Sequence, residues 1–487
     1  MITVFPEERL GDLPSDEFRR AAREVADWIA DYLAGVGELP VLPDVRPGEI
    51  KGALPSGPPE RGEPVDRLLR DYREIILPGI THWNHPAFFG YFSITGSGPG
   101  VLGEMLAAAL NVNAMVWRSS PAGTELEELT MDWLRQLVDL PPEFDGVIND
   151  TASHSTLYAL AAAREVAYPA SHEKGLFGMR PGRVYTSEHA HSSVEKAVLA
   201  LGLGQDGCRT IPADDAFRMR PDALAAALEE DVAAGLVPVA VVATAGTTST
   251  TSVDPLSEIG AIARKHGAWF HVDAAYGGPA AIVPELRPLF EGWERADSIV
   301  MNPHKWLFTP VDCSALYCRR PEELVKSFSI VPEYLRTAEQ GEARSLMDYG
   351  VAMGRRFRAL KLWFVMRAFG RAGIVANLRE HVRLAGELAS QVQAAAGWKL
   401  MAPVPFSVVC FRFEPEGLAA ESADELNQRI LDRVNASGEA FLTHTKLNGR
   451  MTLRLAVGNL KTTSEHVNTA WALLRRAADQ EALRAPS

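Results

Sequence analysis

The stretch VPVAVVATAGTTSTTSVDPLSEIGAIARKHGAWFHVDAAYGG (237–278) reads as strand, helix, strand. Two short apolar runs, VPVAVVAT and AWFHV, flank DPLSEIGAIARKHG, in which Asp254 can cap a helix, Pro255 suits its first turn and Gly267 its exit. Outward from there the texture repeats. GVI (146–148), GRVY (182–185), DSIVM (297–301) and CSALYC (313–318) alternate with longer helical stretches. Such alternation predicts an α/β domain with a largely parallel sheet.

Flanking this region, Ser15, Asp16 and Glu17 precede apolar residues at 18, 22, 25, 29 and 33, the spacing of an amphipathic helix stopped by Gly35. The Pro/Gly-rich run GALPSGPPERGEP (52–64) reads as an extended connector. After about residue 380, a helix near LREHVRLAGELASQVQAA (378–395), strands at SVVCFRFE (407–414) and RMTLRLAV (450–457), and a helix near SEHVNTAWALLRR (464–476) suggest a small α+β unit. The expected division is an N-terminal helical segment 1–97, a large α/β domain 98–378 and a small C-terminal domain 379–487.

Composition narrows the class. Of 487 residues 47% are hydrophobic and 23% charged, as in ordinary globular proteins. A formal charge of −13 opposes binding to nucleic acid. With no basic-then-apolar leader and no run of about 18 apolar residues, a soluble cytoplasmic protein with no membrane partner is expected. Four scattered cysteines without a CxxC suggest neither disulfides nor a zinc site.

In open α/β sheets ligands bind beyond the carboxyl ends of the strands. The residues there are unusually polar: Thr151, Ala152 and Ser153; Ser187, His189 and His191; Thr244; Asp273; Asn302, His304 and Lys305. Asp273 and Lys305 could form only a structural ion pair. They also fill two roles of pyridoxal-phosphate chemistry, in which a lysine forms a Schiff base and a buried carboxylate keeps the ring nitrogen protonated. TASHST (151–156) runs directly into a helical stretch and offers backbone N–H groups and hydroxyls to a phosphate. His189 and His191, with Glu188, are conceivable metal ligands, but neighbouring strand residues point to opposite faces, so no metal is expected.

With these residues assembled, the chain resembles the group II pyridoxal-phosphate-dependent decarboxylases of aromatic amino acids, from about residue 15 to 475. NPHKW (302–306), HVDAAYGG (271–278), HSSVEKA (191–197), ATAGTTSTTSVDPL (243–256) and GRRFRALKLWFV (354–365) carry the resemblance. It implies fold type I, with a mostly parallel seven-stranded sheet, and an obligate homodimer with active sites at the subunit interface. Lys305 matches the lysine that holds the cofactor, Asp273 the partner of the pyridine nitrogen and His191 the imidazole stacked on the ring. Ala152, Ser153 and Asn302 match the phosphate site. Thr244 matches a hydroxyl near the cofactor, and Ala275 lies in the segment covering the other ring face. Thr151, His304 and Gly354 are counted with the cofactor contacts. Tyr334 in PEYLR matches a loop tyrosine that protonates the carbon losing CO₂, which favours simple decarboxylation over oxygen-dependent aldehyde formation.

For the substrate, HWNHPAFFGYFSITGS (82–97) resembles the family's pocket strand, with Trp83, Tyr91 and Phe92 as an aromatic wall. Ile94 stands where catechol-preferring relatives have threonine, so a ring hydroxyl there lacks a partner. Asn113 and Met115 depart from the bulkier apolar residues usual near the pocket, and Gly354 leaves room that indole-accepting relatives share. Tryptophan or phenylalanine is expected over dopa, with tyrosine between. Asp150 and His154, where relatives often carry Gly and Glu, are a second departure. An aminotransferase would need an arginine for the retained carboxylate, which no motif marks. Acidic-substrate and histidine decarboxylases, or an inactive scaffold, are the other rivals.

Overall fold

The computed structural model describes residues 11–169, 171–330 and 343–483. In the deciding stretch, β4 (Val237–Thr244) and β5 (Trp269–Asp273) pair in parallel, Ala240 opposite Trp269 through Thr244 opposite Asp273. The helix between them runs Leu256–Lys265, and Gly267 leaves it with φ +68°. Asp254 departs from expectation. Pro255 occupies the capping position without a side-chain bond, while the Asp254 carboxylate accepts N–H bonds from Met219 and Thr244, both at 2.7 Å. It pins the end of β4 instead of starting a helix.

Around this pair stand β1 (Asp145–Asn149), β2 (Gly182–Ser187), β3 (Cys208–Ile211), β6 (Ser298–Met301) and β7 (Ser314–Cys318). They form a seven-stranded sheet in the order β1-β7-β6-β5-β4-β2-β3. Only β7 is antiparallel to its neighbours, β1 and β6. Successive residues of β4 feed different cores: Val241 and Ala243 join one apolar cluster, Ala240 and Val242 another. A sheet buried on both faces explains why its central strands read as unbroken apolar runs. β3 escaped the sequence reading because CRTI is a mostly half-exposed edge segment with one fully buried residue.

The helix Arg358–Ala394 breaks helical geometry at Gly370 (φ +59°, ψ 174°) and continues across position 378. Beyond it, β8 (Trp398–Leu400), β9 (Val408–Phe413), β10 (Thr443–Leu447) and β11 (Arg450–Ala456) form an antiparallel sheet in the order β10-β11-β9-β8. Helices Ala420–Ala436 and Ser464–Ala482 bury Leu426, Ile430, Trp471 and Leu474 in a cluster shared with β9 and β11.

Two helices are poorly covered. Ser15–Gly35 buries only Ala21 and leaves Phe18 60% exposed. Gly98–Leu110 exposes Leu102, Met105, Leu106 and Leu110. Its other side is tight: a Cβ on Gly103 would sit 2.6 Å from the Lys361 Cα. Among the described residues no helix is long and apolar enough to cross a membrane.

Candidate active site

The strand ends converge. A cavity of about 180 Å³ is lined by Thr151, Ala152 and Ser153 after β1, His191 after β2, Thr244 at the end of β4, Asp273 and Ala275 at β5, and Asn302, His304 and Lys305 after β6. Close approach of the loops after β4 and β5 requires glycine, since a Cβ on Gly277 would lie 2.4 Å from the Ala245 carbonyl oxygen.

Each side chain is held in a definite state. Asp273 is 5% exposed, and its Oδ1 accepts the Ala275 N–H at 3.0 Å. Burial lowers the pKa of the Lys305 ammonium; Asp273 opposes this, and Arg454 adds repulsion. His191 Nδ1 accepts the Ser193 backbone N–H at 3.1 Å and contacts the Ser193 hydroxyl at 2.9 Å. An accepting Nδ1 leaves the proton of the neutral ring on Nε2. Burial lowers the His191 pKa, with Asp273 pulling the other way, so neutral imidazole is favoured. His304 Nδ1 accepts the Cys313 N–H at 2.9 Å, and burial pushes its pKa down to about 4.

Two buried polar atoms of the cavity residues, Thr244 Oγ1 and Asn302 Oδ1, have no hydrogen-bond partner within the protein. The helix Ala152–Ala167 starts at Thr151 without a side-chain cap, leaving N–H groups and positive dipole toward the cavity. Orphaned acceptors and donors beside an uncapped helix start suit a phosphorylated cofactor. Lys305 and Asp273 supply amine and carboxylate at the same cavity, so the residues fit pyridoxal phosphate.

The aromatic wall is only partly assembled here. Phe92 lines the cavity, stacks on Tyr276 at 3.9 Å and has Lys305 Nζ at 4.9 Å from its ring centre. Trp83 and Tyr91 stack on each other at 5.6 Å outside the lining, with Tyr91 mostly exposed. Ile94 is half-buried and does not line the cavity. Met115 packs with Val116 and Met347. Gly354 lines a second cavity of about 280 Å³ together with Asp150, His154 and Tyr158. There Asp150 Oδ1 lies 2.6 Å from His154 Nδ1 and accepts the Thr151 N–H at 2.5 Å. Ser187 bonds the His189 N–H at 3.1 Å, and no metal cluster exists among the described residues. Tyr334 lies outside the described residues.

The sequence reading missed Tyr276, Ser193, Thr248 and Arg454. Arg454 acts electrostatically on the lysine and bonds the backbone carbonyls of Ser249, Tyr91 and Thr248. Only its place in the apolar strand RMTLRLAV set it apart.

The family model of the pyridoxal-dependent decarboxylase conserved domain matches residues 47–414. The chain belongs to the pyridoxal-dependent decarboxylases. It is 41% identical over 478 residues to tryptophan decarboxylase TDC2 of Camptotheca acuminata, covering 96% of this chain and 95% of that one. To the aromatic-L-amino-acid decarboxylase of Rattus norvegicus it is 41% identical over 484 residues, covering 96% and 98%. The crystal structure of Oryza sativa TDC with PLP and tryptamine superposes with a TM-score of 0.94 at 38% identity, covering 97% and 99%. This decarboxylase therefore has fold type I and uses pyridoxal phosphate.

Proposed function

We propose that this decarboxylase converts an aromatic L-amino acid, tryptophan or phenylalanine before tyrosine and dopa, into the corresponding amine and CO₂. One observation carries the reading: Lys305, Asp273 and His191 line one cavity whose wall is the Phe92 ring. Relatives named for tryptophan and aromatic amino acids support the substrate class.

When bound, pyridoxal phosphate supplies a sink for the electron pair left as CO₂ departs. Lys305, whose ammonium is made easier to deprotonate by burial, would hold the cofactor through its side-chain nitrogen. Asp273, fixed by the Ala275 N–H, keeps a proton on the ring nitrogen. Thr151, Ala152, Ser153, Asn302 and His304 hold the phosphate end, with Thr244 and Ala275 beside the ring. His191, oriented through Nδ1 by Ser193, would stack on the cofactor ring and keep its Nε2 proton available to the substrate. Tyr334 returns a proton to the carbon that lost CO₂. Phe92, Trp83, Tyr91, Ile94 and Met115 shape the side-chain pocket. Gly354 lines a separate cavity within one chain, so its place among the cofactor contacts belongs to the proposal that sites are shared between subunits.

A homodimer built through the 1–97 segment and the adjoining Gly98–Leu110 helix, with sites at the interface, belongs to the same proposal and is supported by exposed Phe18, Leu102, Met105, Leu106 and Leu110. So does a cytoplasmic location, supported by four unpaired cysteines. Incubation with tryptophan, phenylalanine, tyrosine and dopa, with amines, aldehydes and CO₂ measured by mass spectrometry, tests it. Amine and CO₂ in equal amounts, fastest from tryptophan or phenylalanine, are expected; dopa as clear favourite overturns the preference, and aldehyde as main product overturns the reaction type.

A further inference from the structure

Arg454, on β11 of the C-terminal sheet, is 4% exposed and pairs with no carboxylate among the described residues. Its guanidinium donates instead to three backbone carbonyls: Ser249 from Nε at 2.9 Å, Thr248 from Nη2 at 3.1 Å, and Tyr91 from Nη1. Thr248 lines the Lys305 cavity. Tyr91 precedes Phe92 and holds a left-handed φ of +50°, which a bulky side chain adopts only under constraint. The Phe92 ring has the Arg454 Cζ 4.7 Å from its centre and Lys305 Nζ at 4.9 Å. A buried cation with no counter-charge is costly, and such departures concentrate at functional sites.

We propose that Arg454 is a positioning residue of the reaction: it fixes the Phe92 wall by clamping the 91 and 248–249 carbonyls, and its charge disfavours a second cation at Lys305. The proposal rests on Lys305 being the attachment lysine. The groups acting on Lys305 come from four directions. Asp273 on β5 favours the ammonium, while Arg454 on β11 disfavours it. His191 after β2 and His304 beside Lys305 also sense its charge, but both are pushed toward neutrality by burial. Arg454 thus adds a positive charge that acts with burial to ease loss of the Lys305 proton.

The test uses the full-length enzyme with excess pyridoxal phosphate, reduced with borohydride from about pH 6 to about pH 10, and the pyridoxyl adduct on Lys305 is measured by mass spectrometry. For R454M the pH of half-maximal labelling is expected to rise by about one unit, and KM for the best aromatic substrate by about tenfold. R454K restores a charge without the planar fork, so labelling returns toward wild type while KM stays raised. A folded R454M with wild-type labelling and KM overturns the proposal. If R454M does not fold, R454K decides, and an unchanged KM there overturns it. Wild-type enzyme with no adduct on Lys305 removes the reading of the lysine, and this proposal with it.

Discussion

Asp273 shows how a single residue acquires two duties from one location. At the end of β5 it attracts the proton of Lys305 and also faces the cavity where the cofactor ring must lie. Asp273→Asn keeps an acceptor for the Ala275 N–H, so the fold should survive, but no negative charge remains to hold a proton on the ring nitrogen. The expected loss in kcat is about 10²- to 10³-fold with an unchanged melting temperature, the scale of removing one preorganised charge. Steady-state kinetics beside thermal melts check this, and a folded variant with wild-type kcat removes the assigned role. Lys305, Asp273 and His191 were legible because reactive residue types followed directly on apolar strands. Arg454 was not, because its contact with Tyr91 joins positions 363 residues apart and no local spacing encodes that meeting.

Elements were legible where burial was continuous. β4, β5 and β6, buried throughout or nearly so, announced themselves as apolar runs, whereas β10, with THTKL mostly at half-exposed or exposed positions, and the three-residue β8 carried no such run. Asp254 is the instructive misreading between elements. A carboxylate before a proline fits a helix start, yet tertiary placement gives it two backbone N–H groups from separate segments. Burial then pushes its pKa from 3.8 up to about 6, against the lowering effect of those bonds. With the folded pKa above the unfolded one, the folded state binds the extra proton between those values, so stability falls as pH rises through that window. The penalty is complete above about pH 6 and amounts to at most roughly 3 kcal/mol. Denaturation midpoints of wild type should therefore fall relative to D254N from about pH 4 to about pH 6 and run parallel above it. Parallel curves throughout would show that the carboxylate stays ionised in the folded state.

At the scale of the molecule, one chain leaves unfinished surfaces that its own core cannot use. The Gly98–Leu110 helix spends its small residues, Gly100 and Gly103, against its own chain and turns Leu102, Met105, Leu106 and Leu110 outward on one face. A monomer carrying −13 charges has every reason to present polar groups there. Leucines that remain exposed on a well-packed helix point to a second copy as their cover, and burying each contributes about 1.5–3 kcal/mol. Leu102→Glu with Leu106→Glu places two negative charges on this exposed face, which a paired copy would have to bury, without touching the Gly103 contact to Lys361. If the proposed homodimer uses this face, sedimentation velocity should then show a dimer for wild type and a monomer for the double variant, with far-ultraviolet circular dichroism unchanged. If Gly354 completes the site of the second copy, as proposed, activity should fall together with dimer content and recover as protein concentration rises. A double variant that remains dimeric assigns the interface to other surfaces, and one that is monomeric yet fully active shows that each chain completes its own site.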